Sequence, residues 1–250
     1  MPMDSTTIRP FTPSISTDVI DDLIHRLNQT RLPEAETVED WSQGIPLNYQ
    51  AELLDYWRDE YDFARLEQRL GAFDNFVTNI DGVEIHFIHK RSQHTAATPL
   101  LITHGWPGSV LEYLDILDAL TDPMQHDGSP EDAFHVVLPT LPGFGFSSKP
   151  RDTGTGVPKI ASLWETLMSR LNYSKFHAHG GDWGSIVTQA ILLQEKTACT
   201  AGHCTLPIVL PDETTLADPQ SAELDALESF QFYNDWDSGY SKQQSTRPQT

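Results

Sequence analysis

One short stretch constrains the fold more than any other part of the sequence, namely His-Gly-Gly-Asp-Trp-Gly-Ser at residues 179–185. It follows a short apolar run and precedes a helical pattern, which together predict a strand, a sharp turn and a helix. Glycines on both sides of Asp182 allow the backbone to bend steeply and to push the central side chain out of the sheet. That side chain is a carboxylate, whereas turns of this shape usually carry a serine.

A carboxylate in this position favours one kind of covalent chemistry. Aspartate can attack a saturated carbon and form an alkyl ester, which a second step must then hydrolyse. The pattern therefore points to a substrate with a leaving group on saturated carbon. Asp182 before a helix is also compatible with an ordinary N-cap, in which the carboxylate accepts hydrogen bonds from the first free amides of the helix.

A second motif upstream favours the chemical interpretation over the N-cap. Leu-Ile-Thr-His-Gly-Trp-Pro-Gly at residues 101–108 again lies at the end of an apolar run. In sheets with such a turn, the loop after an early central strand supplies one N–H of an oxyanion hole, and the residue after the nucleophile supplies the other. The expected donors are the amides of Trp106 and Trp183.

Short apolar and alternating runs predict a mostly parallel sheet. The alternation on either side of Asp81-Gly82 is a strong hairpin signal and predicts an antiparallel start to the sheet. Later apolar runs are separated by helical segments, as expected for parallel strands with crossovers. The predicted strands cover residues 76–80, 83–89, 99–103, 134–139, 176–179 and 204–210.

Helical patterns precede and follow these strands. Apolar residues at three- and four-residue spacing predict a helix over residues 18–29. A second pattern, rich in Tyr, Trp and Leu, covers residues 47–70, and an acidic helical stretch covers residues 218–236. We therefore expect an α/β fold in which helices cover the sheet.

These motifs resemble those of the epoxide hydrolase family of the α/β-hydrolase superfamily, in its microsomal-type and fungal branch. The resemblance covers essentially the whole chain and rests on three motifs that stand in the family's order. They are His-Gly-Trp-Pro at 104–107, Pro-Thr-Leu-Pro-Gly-Phe-Gly-Phe-Ser at 139–147 and Gly-Gly-Asp-Trp-Gly at 180–184. The fold that it implies is the α/β-hydrolase fold with an N-terminal extension and a partial helical cap.

The resemblance also implies a domain division. Residues 1–75 would form the family's N-terminal segment, residues 76–210 an incomplete hydrolase core without its last strands, and residues 211–250 the start of the cap. The charge-relay acid and the catalytic histidine would then lie outside this chain, which we expect to be truncated within its cap. His203 is the only histidine after Asp182, and its position before an apolar run indicates a strand-end residue rather than a general base.

The chemistry implied by the resemblance is a two-step conversion of an epoxide to a vicinal diol, serving xenobiotic or aromatic epoxide detoxification. Asp182 would be the nucleophile, Tyr240 the proton donor from the cap, and Trp106 and Trp183 the oxyanion hole. A phenol with a pKa near 10 can protonate a developing alkoxide while remaining neutral at physiological pH. The expected partners are a small epoxide and water, and neither a metal nor an organic cofactor is expected.

Composition argues against several other classes. A net charge of −20 disfavours nucleic acid, whose binding needs clustered Lys and Arg. Cys199 and Cys204 match no metal or disulfide framework, which suggests two small buried thiols in a reducing compartment. The sequence shows neither a signal peptide nor an apolar stretch that approaches a bilayer span, so we expect a soluble, cytoplasmic protein without a membrane anchor. A homo-oligomer stays open.

Two alternatives also stay open. A haloalkane dehalogenase uses the same aspartate followed by tryptophan, although Tyr240 and the N-terminal extension favour the epoxide. A non-catalytic, truncated paralogue would leave its last strand as an unpaired edge. A conventional serine hydrolase is disfavoured because Gly-x-Ser-x-Gly does not occur, and Ser185 would point into the helix.

Overall fold

The computed structural model of the chain describes residues 6–209 and 211–247. Two compact units are present, Met1–Pro207 and Ile208–Thr250. The domain boundaries expected from the sequence, at 75/76 and 210/211, stay a prediction.

A mixed sheet forms the centre of the first unit. Among the described residues its strands lie in the order β1-β2-β3-β5-β4-β6-β7. The pairs β1–β2, β2–β3 and β3–β5 are antiparallel, whereas β5, β4, β6 and β7 run parallel to one another. The strands are β1 (Arg9–Pro10), β2 (Asn75–Ile80), β3 (Val83–Lys90), β4 (Thr98–Thr103), β5 (Phe134–Pro139), β6 (Phe176–Gly180) and β7 (Cys199–Cys204).

The predicted hairpin and the first three parallel strands are confirmed to within one residue at each end. At the hairpin turn, Asp81 and Gly82 have φ values of +52° and +82°. Positive φ at both central residues is what a two-residue type I′ turn requires, and Asp-Gly is a sequence that adopts it readily. Ile80 and Val83 are consequently paired directly across the turn.

Helices surround the sheet of the first unit. The helix expected over residues 18–29 is confirmed as a helix that begins and ends one residue earlier, at Thr17 and Asn28. The single helix expected over residues 47–70 is wrong, because two helices occupy this region. The helices are α1 (Thr17–Asn28), α2 (Leu47–Asp59), α3 (Ala64–Gly71), α4 (Leu117–Thr121), α5 (Val157–Arg170) and α6 (Trp183–Leu192).

The break between α2 and α3 has a local cause. The amides of Glu60 and Tyr61 both donate to the carbonyl of Tyr56, which closes the end of α2. The carboxylate of Asp62 then accepts from the Ala64 amide at 3.0 Å at the start of α3. A hydrogen-bonding carboxylate beside the first helical residues favours a new helix start over continuation of the old helix.

Apolar side chains fill a core on each face of the sheet, because successive residues of a strand point to opposite sides. In β4, Leu101 packs into one cluster, whereas Leu100 and Ile102 pack into the other. The cluster that contains Leu101 is covered by α5 and α6, and the opposite cluster by α4 with the 3₁₀ turn Val110–Ile116 before it. The expected α/β arrangement, with helices on both faces, is therefore present.

The strand expected over residues 204–210 is wrong. The strand at this position is β7, which ends at Cys204 and contains His203, while Leu210 lies outside the described residues. The sequence gives little sign of it because β7 is an edge strand among the described residues, and four of its six residues are exposed. Of the two free cysteines that end the strand, Cys199 is buried as expected, but Cys204 is only half-buried.

The second unit is helical where it is described. It consists of α7 (Glu213–Ala217), α8 (Ser221–Phe232), a π-helical turn at Tyr233–Asp237 and α9 (Gly239–Thr246). The acidic helix expected over residues 218–236 corresponds to α8 and the π-helical turn. Within residues 6–209 and 211–247, no helix is both long and apolar enough to cross a membrane.

The first unit contains a fully buried polar cluster around His86. Nδ1 of His86 lies 2.7 Å from Oγ1 of Thr140, and Nε2 lies 2.9 Å from Oδ1 of Asn75. The Asn75 amide nitrogen donates to the Leu70 carbonyl at 2.8 Å, which leaves its oxygen to accept from the His86 ring. Burial lowers the pKa of His86 to about 4.

We predict that His86 destabilises the fold as the pH falls from about 6.5, the ordinary histidine pKa, to about 4. Over this range the unfolded chain binds a proton that the folded chain excludes, so the free energy of unfolding should fall by about 3 kcal/mol through His86. The exchange His86→Gln should remove that part of the pH dependence in urea unfolding at pH 7 and pH 4. The exposed histidine variant His126→Gln is the control, and a His86→Gln curve parallel to that of the wild type would contradict the prediction.

Candidate active site

The two sequence motifs meet at the carboxyl ends of β4 and β6. These strands are parallel neighbours, with Thr103 beside Gly180, so the loops that follow them begin at the same edge of the sheet. The chain then leads to helices on opposite faces of the sheet, α4 on one and α6 on the other. In open α/β sheets, ligands bind outside the carboxyl ends of the strands at such a divergence.

Asp182 occupies the turn between β6 and α6. Its backbone has φ +48° and ψ −125°, a conformation that costs a residue other than glycine about 1–3 kcal/mol. Among the described residues, its side chain makes no capping bond to α6. Oδ1 instead accepts a hydrogen bond of 2.7 Å from the amide of Trp106. The N-cap interpretation that the sequence left open therefore does not describe the role of this side chain.

Close backbone packing holds the turn. A Cβ atom on Gly184 would lie 1.9 Å from the carbonyl oxygen of Thr103, so only glycine allows the first turn of α6 to approach β4 this closely. Ser185 is fully buried, and its hydroxyl donates to the Gly180 carbonyl at 2.7 Å. The same hydroxyl accepts from the Leu206 amide at 3.2 Å. Both sides of the turn are thereby fixed, and the Ser185 hydroxyl is occupied by backbone groups.

The loop after β4 presents its backbone to the Asp182 carboxylate. A Cβ atom on Gly105 would lie 2.3 Å from Oδ1 of Asp182, which again requires glycine. The far end of the loop is a capping box, in which the Ser109 amide donates to Glu112 and the Ser109 hydroxyl accepts from the Leu111 amide. The peptide bond between Trp106 and Pro107 is cis.

The structure brings Trp106 to Asp182, and it places Trp183 directly after Asp182 as the first residue of α6. The amide at that position has no acceptor within its own helix, because the first four N–H groups of a helix lack intrahelical partners. The role of these two amides as an oxyanion hole stays a prediction. Both indole rings are exposed.

Tyr113 is a residue beside the turn that the sequence patterns did not single out. Its hydroxyl lies against the Gly181 backbone, 3.1 Å from where a Cβ atom on Gly181 would be, and its ring packs edge-on against His179 with the ring centroids 5.6 Å apart. Burial raises the pKa of Tyr113, and the charges of Glu112 and Asp182 act in the same direction. A neutral phenol therefore lies against Gly181, the residue before Asp182. From the sequence, the helical spacing of Tyr113 predicts only that its ring packs in the core.

His104 is a second such residue, although it is part of the quoted motif. Its ring is fully buried, with Nδ1 3.0 Å from the Gly105 carbonyl and Nε2 3.0 Å from the Leu141 amide nitrogen. Burial lowers the pKa of His104, against smaller opposing effects of the Gly105 carbonyl and the Glu112 charge. A histidine that ends a strand directly before Gly-Trp-Pro is the signal that could have drawn attention to it.

His203 lies within β7, beside His179 of β6. The two rings stack with centroids 4.9 Å apart, and their Nδ1 atoms are 2.8 Å from each other. Burial, followed by the charge of His203, lowers the pKa of His179. One nitrogen of each ring is thus used between the strands, which supports the interpretation of His203 as a sheet residue rather than a general base.

Tyr240 belongs to the second unit, at the start of α9. Its side chain is exposed within the described structure, and its role as proton donor to Asp182 chemistry stays a prediction. Within the part of the chain that the structure describes, no three His, Cys, Asp or Glu side chains cluster so that they could hold a metal ion.

Two family models match the chain. The model described as "Epoxide hydrolase N terminus" matches residues 8–113. The model described as "alpha/beta hydrolase fold" matches residues 98–243, which include both loops of the candidate site.

Curated proteins and solved structures agree with these matches. The "Putative epoxide hydrolase" of Stigmatella aurantiaca is 48% identical over 97% of this chain and 55% of its own length. "Epoxide hydrolase 1" of Oryctolagus cuniculus is 34% identical over 86% of this chain and 48% of its own length. The chain thus spans about half the length of the curated relatives it matches.

The fold is likewise similar to that of solved structures. The structure of Aspergillus niger epoxide hydrolase superposes with a TM-score of 0.84 at 30% identity, over 97% of this chain and 64% of that one. The juvenile hormone epoxide hydrolase of Bombyx mori superposes with a TM-score of 0.77 at 28% identity. The turn at Asp182, the loop at Trp106 and these similarities lead to one conclusion: the chain belongs to the epoxide hydrolase family, a family of hydrolases with the α/β-hydrolase fold.

Proposed function

We propose that this chain carries the nucleophilic part of an epoxide hydrolase site and forms an ester between Asp182 and an epoxide carbon. The observation that carries the proposal is the 2.7 Å hydrogen bond from the Trp106 amide to Oδ1 of Asp182. It holds the exposed Asp182 carboxylate, at the carboxyl ends of β4 and β6, next to an amide that can stabilise negative charge on that same oxygen. The epoxide hydrolase names of the relatives supply the substrate class.

The hydrogen bond distinguishes the two carboxylate oxygens. Oδ1 is bound by Trp106, so the other oxygen, Oδ2, is the one that attacks the oxirane carbon. As the new carbon–oxygen bond forms, the ring carbon–oxygen bond breaks, and the ring oxygen takes a proton from Tyr240. The product of this step is a hydroxyalkyl ester of Asp182 in which Oδ1 is the carbonyl oxygen.

Hydrolysis of the ester would use the same amide a second time. A base-activated water attacks the carboxyl carbon of Asp182, and the negative charge moves onto Oδ1. The Trp106 amide, with Trp183 as the second donor, stabilises this oxyanion before the ester bond breaks and the diol leaves. The reaction consumes one epoxide and one water.

The base for that second step is not assigned to any residue of this chain. His203 is the only histidine after Asp182, and its Nδ1 lies against His179. We therefore propose that the 250-residue chain accumulates the ester and does not release diol. Detoxification of xenobiotic or aromatic epoxides and a cytoplasmic location are further proposals, which rest on the resemblance and the composition.

We predict that incubation with styrene oxide adds the mass of one epoxide to the chain and none to Asp182→Asn, because an amide is a far weaker nucleophile than a carboxylate. Intact-protein mass spectrometry measures the adduct, and peptide mapping locates it. Diol formation without an adduct would mean that another residue of the chain acts as the base. Absence of both would favour a non-catalytic chain, and halide release from a haloalkane would favour dehalogenation.

We predict that Gly105→Ala lowers the rate of ester formation by about 100-fold, since the added methyl group must displace the Asp182 carboxylate from the Trp106 amide. The matched control is Gly71→Ala in α3, where the new Cβ meets no atom within 4 Å. Single-turnover adduct formation, followed by mass spectrometry, compares the two variants. Equal rates in Gly105→Ala and the control would contradict the proposed site.

We predict that Tyr240→Phe lowers the rate of ester formation by about 100-fold, because the developing alkoxide loses its general acid. Tyr233→Phe in the π-helical turn is the control, since Tyr233 is an exposed tyrosine of the same unit. The rates are measured by adduct formation under single-turnover conditions. An unchanged rate in Tyr240→Phe would remove this residue from the mechanism and leave Asp182 in place.

A further inference from the structure

The protonation state of His104 can be read from its two backbone contacts. Nε2 lies 3.0 Å from the Leu141 amide nitrogen, and an amide can only donate, so Nε2 is the unprotonated, accepting nitrogen. Nδ1 lies 3.0 Å from the Gly105 carbonyl, and a carbonyl can only accept, so Nδ1 carries the proton. A neutral ring with its proton on Nδ1 satisfies both contacts, and any other form loses at least one of them.

The carbonyl bound by His104 and the amide bound by Asp182 belong to the same peptide group. The Gly105 carbonyl accepts from Nδ1 of His104, and the Trp106 amide of that peptide donates to Oδ1 of Asp182 at 2.7 Å. A trans peptide is planar, and its C=O and N–H point in opposite directions. Fixing the direction of the carbonyl therefore fixes the direction of the amide.

A second donor to the same carbonyl comes from within the loop. The Gly108 amide donates to the Gly105 carbonyl at 3.1 Å. That bond lies within one tight turn and moves with it. His104 differs because its other nitrogen is held by Leu141, which follows β5, and because its ring packs edge-on against Phe144 with centroids 5.5 Å apart. The ring thus ties the loop to a neighbouring strand of the sheet.

We infer that His104 is a positioning residue that aims the Trp106 amide at the Asp182 carboxylate through the Gly105–Trp106 peptide. This inference rests on the proposed function of Asp182. Full burial keeps the ring neutral, as the direction of its pKa shift also indicates. The hydrogen bonds on either side of the peptide are aligned, so each polarises the peptide in the sense that strengthens the other.

Comparison with His86 separates this role from ordinary core packing. Both rings are fully buried and use both nitrogens. The partners of His86 are the side chains of Thr140 and Asn75, neither of which contacts Asp182 through the contacts described. His104 alone of the two acts on the peptide that binds the carboxylate.

Two variants of His104 test the inference because each replaces the hydrogen-bonding function of only one ring nitrogen. His104→Asn places an N–H donor near the position of Nδ1 and loses the acceptor for Leu141. His104→Gln places an acceptor near the position of Nε2 and loses the donor to Gly105. We expect His104→Gln to lower the maximal rate of ester formation about tenfold, because the Trp106 N–H no longer points at Oδ1 of Asp182. The half-saturating epoxide concentration should stay unchanged, because the loop itself does not move. His104→Asn should stay within about threefold of the wild type.

A measurement that needs no substrate accompanies the kinetics. Hydrogen exchange at the Trp106 amide, followed by NMR, should accelerate in His104→Gln and remain slow in His104→Asn, with the β4 amides unchanged in both. The control is His135→Asn, since His135 is a buried histidine whose Nδ1 accepts from the Ser92 amide at 3.0 Å at the other end of β5. It should alter neither the Trp106 amide nor the rate.

The tautomer of the wild-type ring provides a test that does not depend on any variant folding. Nitrogen-detected NMR of the imidazole should show the proton of His104 on Nδ1, and a proton on Nε2 would overturn the inference. A His104→Asn variant as impaired as His104→Gln in amide exchange would overturn it as well. If the wild type forms no ester at all, the proposed function fails, while the tautomer and the exchange of the Trp106 amide still decide the role of His104.

Discussion

The hydrogen bond between the Trp106 amide and the Asp182 carboxylate is the interaction on which the arrangement of the site depends. It joins the loops after two neighbouring strands, β4 and β6, at the point where the chain diverges to opposite faces of the sheet. The backbone of Asp182 is strained, and such strain persists only where the surroundings determine the geometry more than once. Here the close approach of Gly184 to β4 and the hydrogen bond from the buried Ser185 hydroxyl to Gly180 both hold the turn around Asp182 in place.

Much of the sheet was predictable because its signals are local. Asp81-Gly82 specifies a turn through its own backbone preferences, and the central parallel strands are apolar because both of their faces are covered. β7 was missed because it lies at the edge of the sheet that the structure describes, where a strand needs few apolar residues. Its Cys-Thr-Ala-Gly-His-Cys sequence forms a strand only through pairing with β6. The break after α2 depends on the Asp62 carboxylate beside Ala64, which a helical periodicity does not reveal.

The candidate site divides in the same way. Gly-Gly-Asp-Trp-Gly and His-Gly-Trp-Pro indicate the chemistry by their residue types, and the parallel pairing of their strands brings Trp106 to Asp182. The supporting residues are different, because their roles depend on which backbone group a buried side chain meets. A tyrosine at helical spacing could support any part of the core, and only the folded chain places the Tyr113 hydroxyl at Gly181. The same holds for the two backbone partners of His104.

The anchoring of Oδ1 has a consequence for how the Asp182 side chain moves. In the proposed reaction one oxygen forms the bond to carbon, while the other remains on the same amide from the free carboxylate through the ester to the tetrahedral state. No rotation about the Cβ–Cγ bond of the aspartate is needed between the two chemical steps. The carboxylate can therefore stay in one rotamer throughout, and the site avoids the reorganisation that a freely turning side chain would add to each barrier.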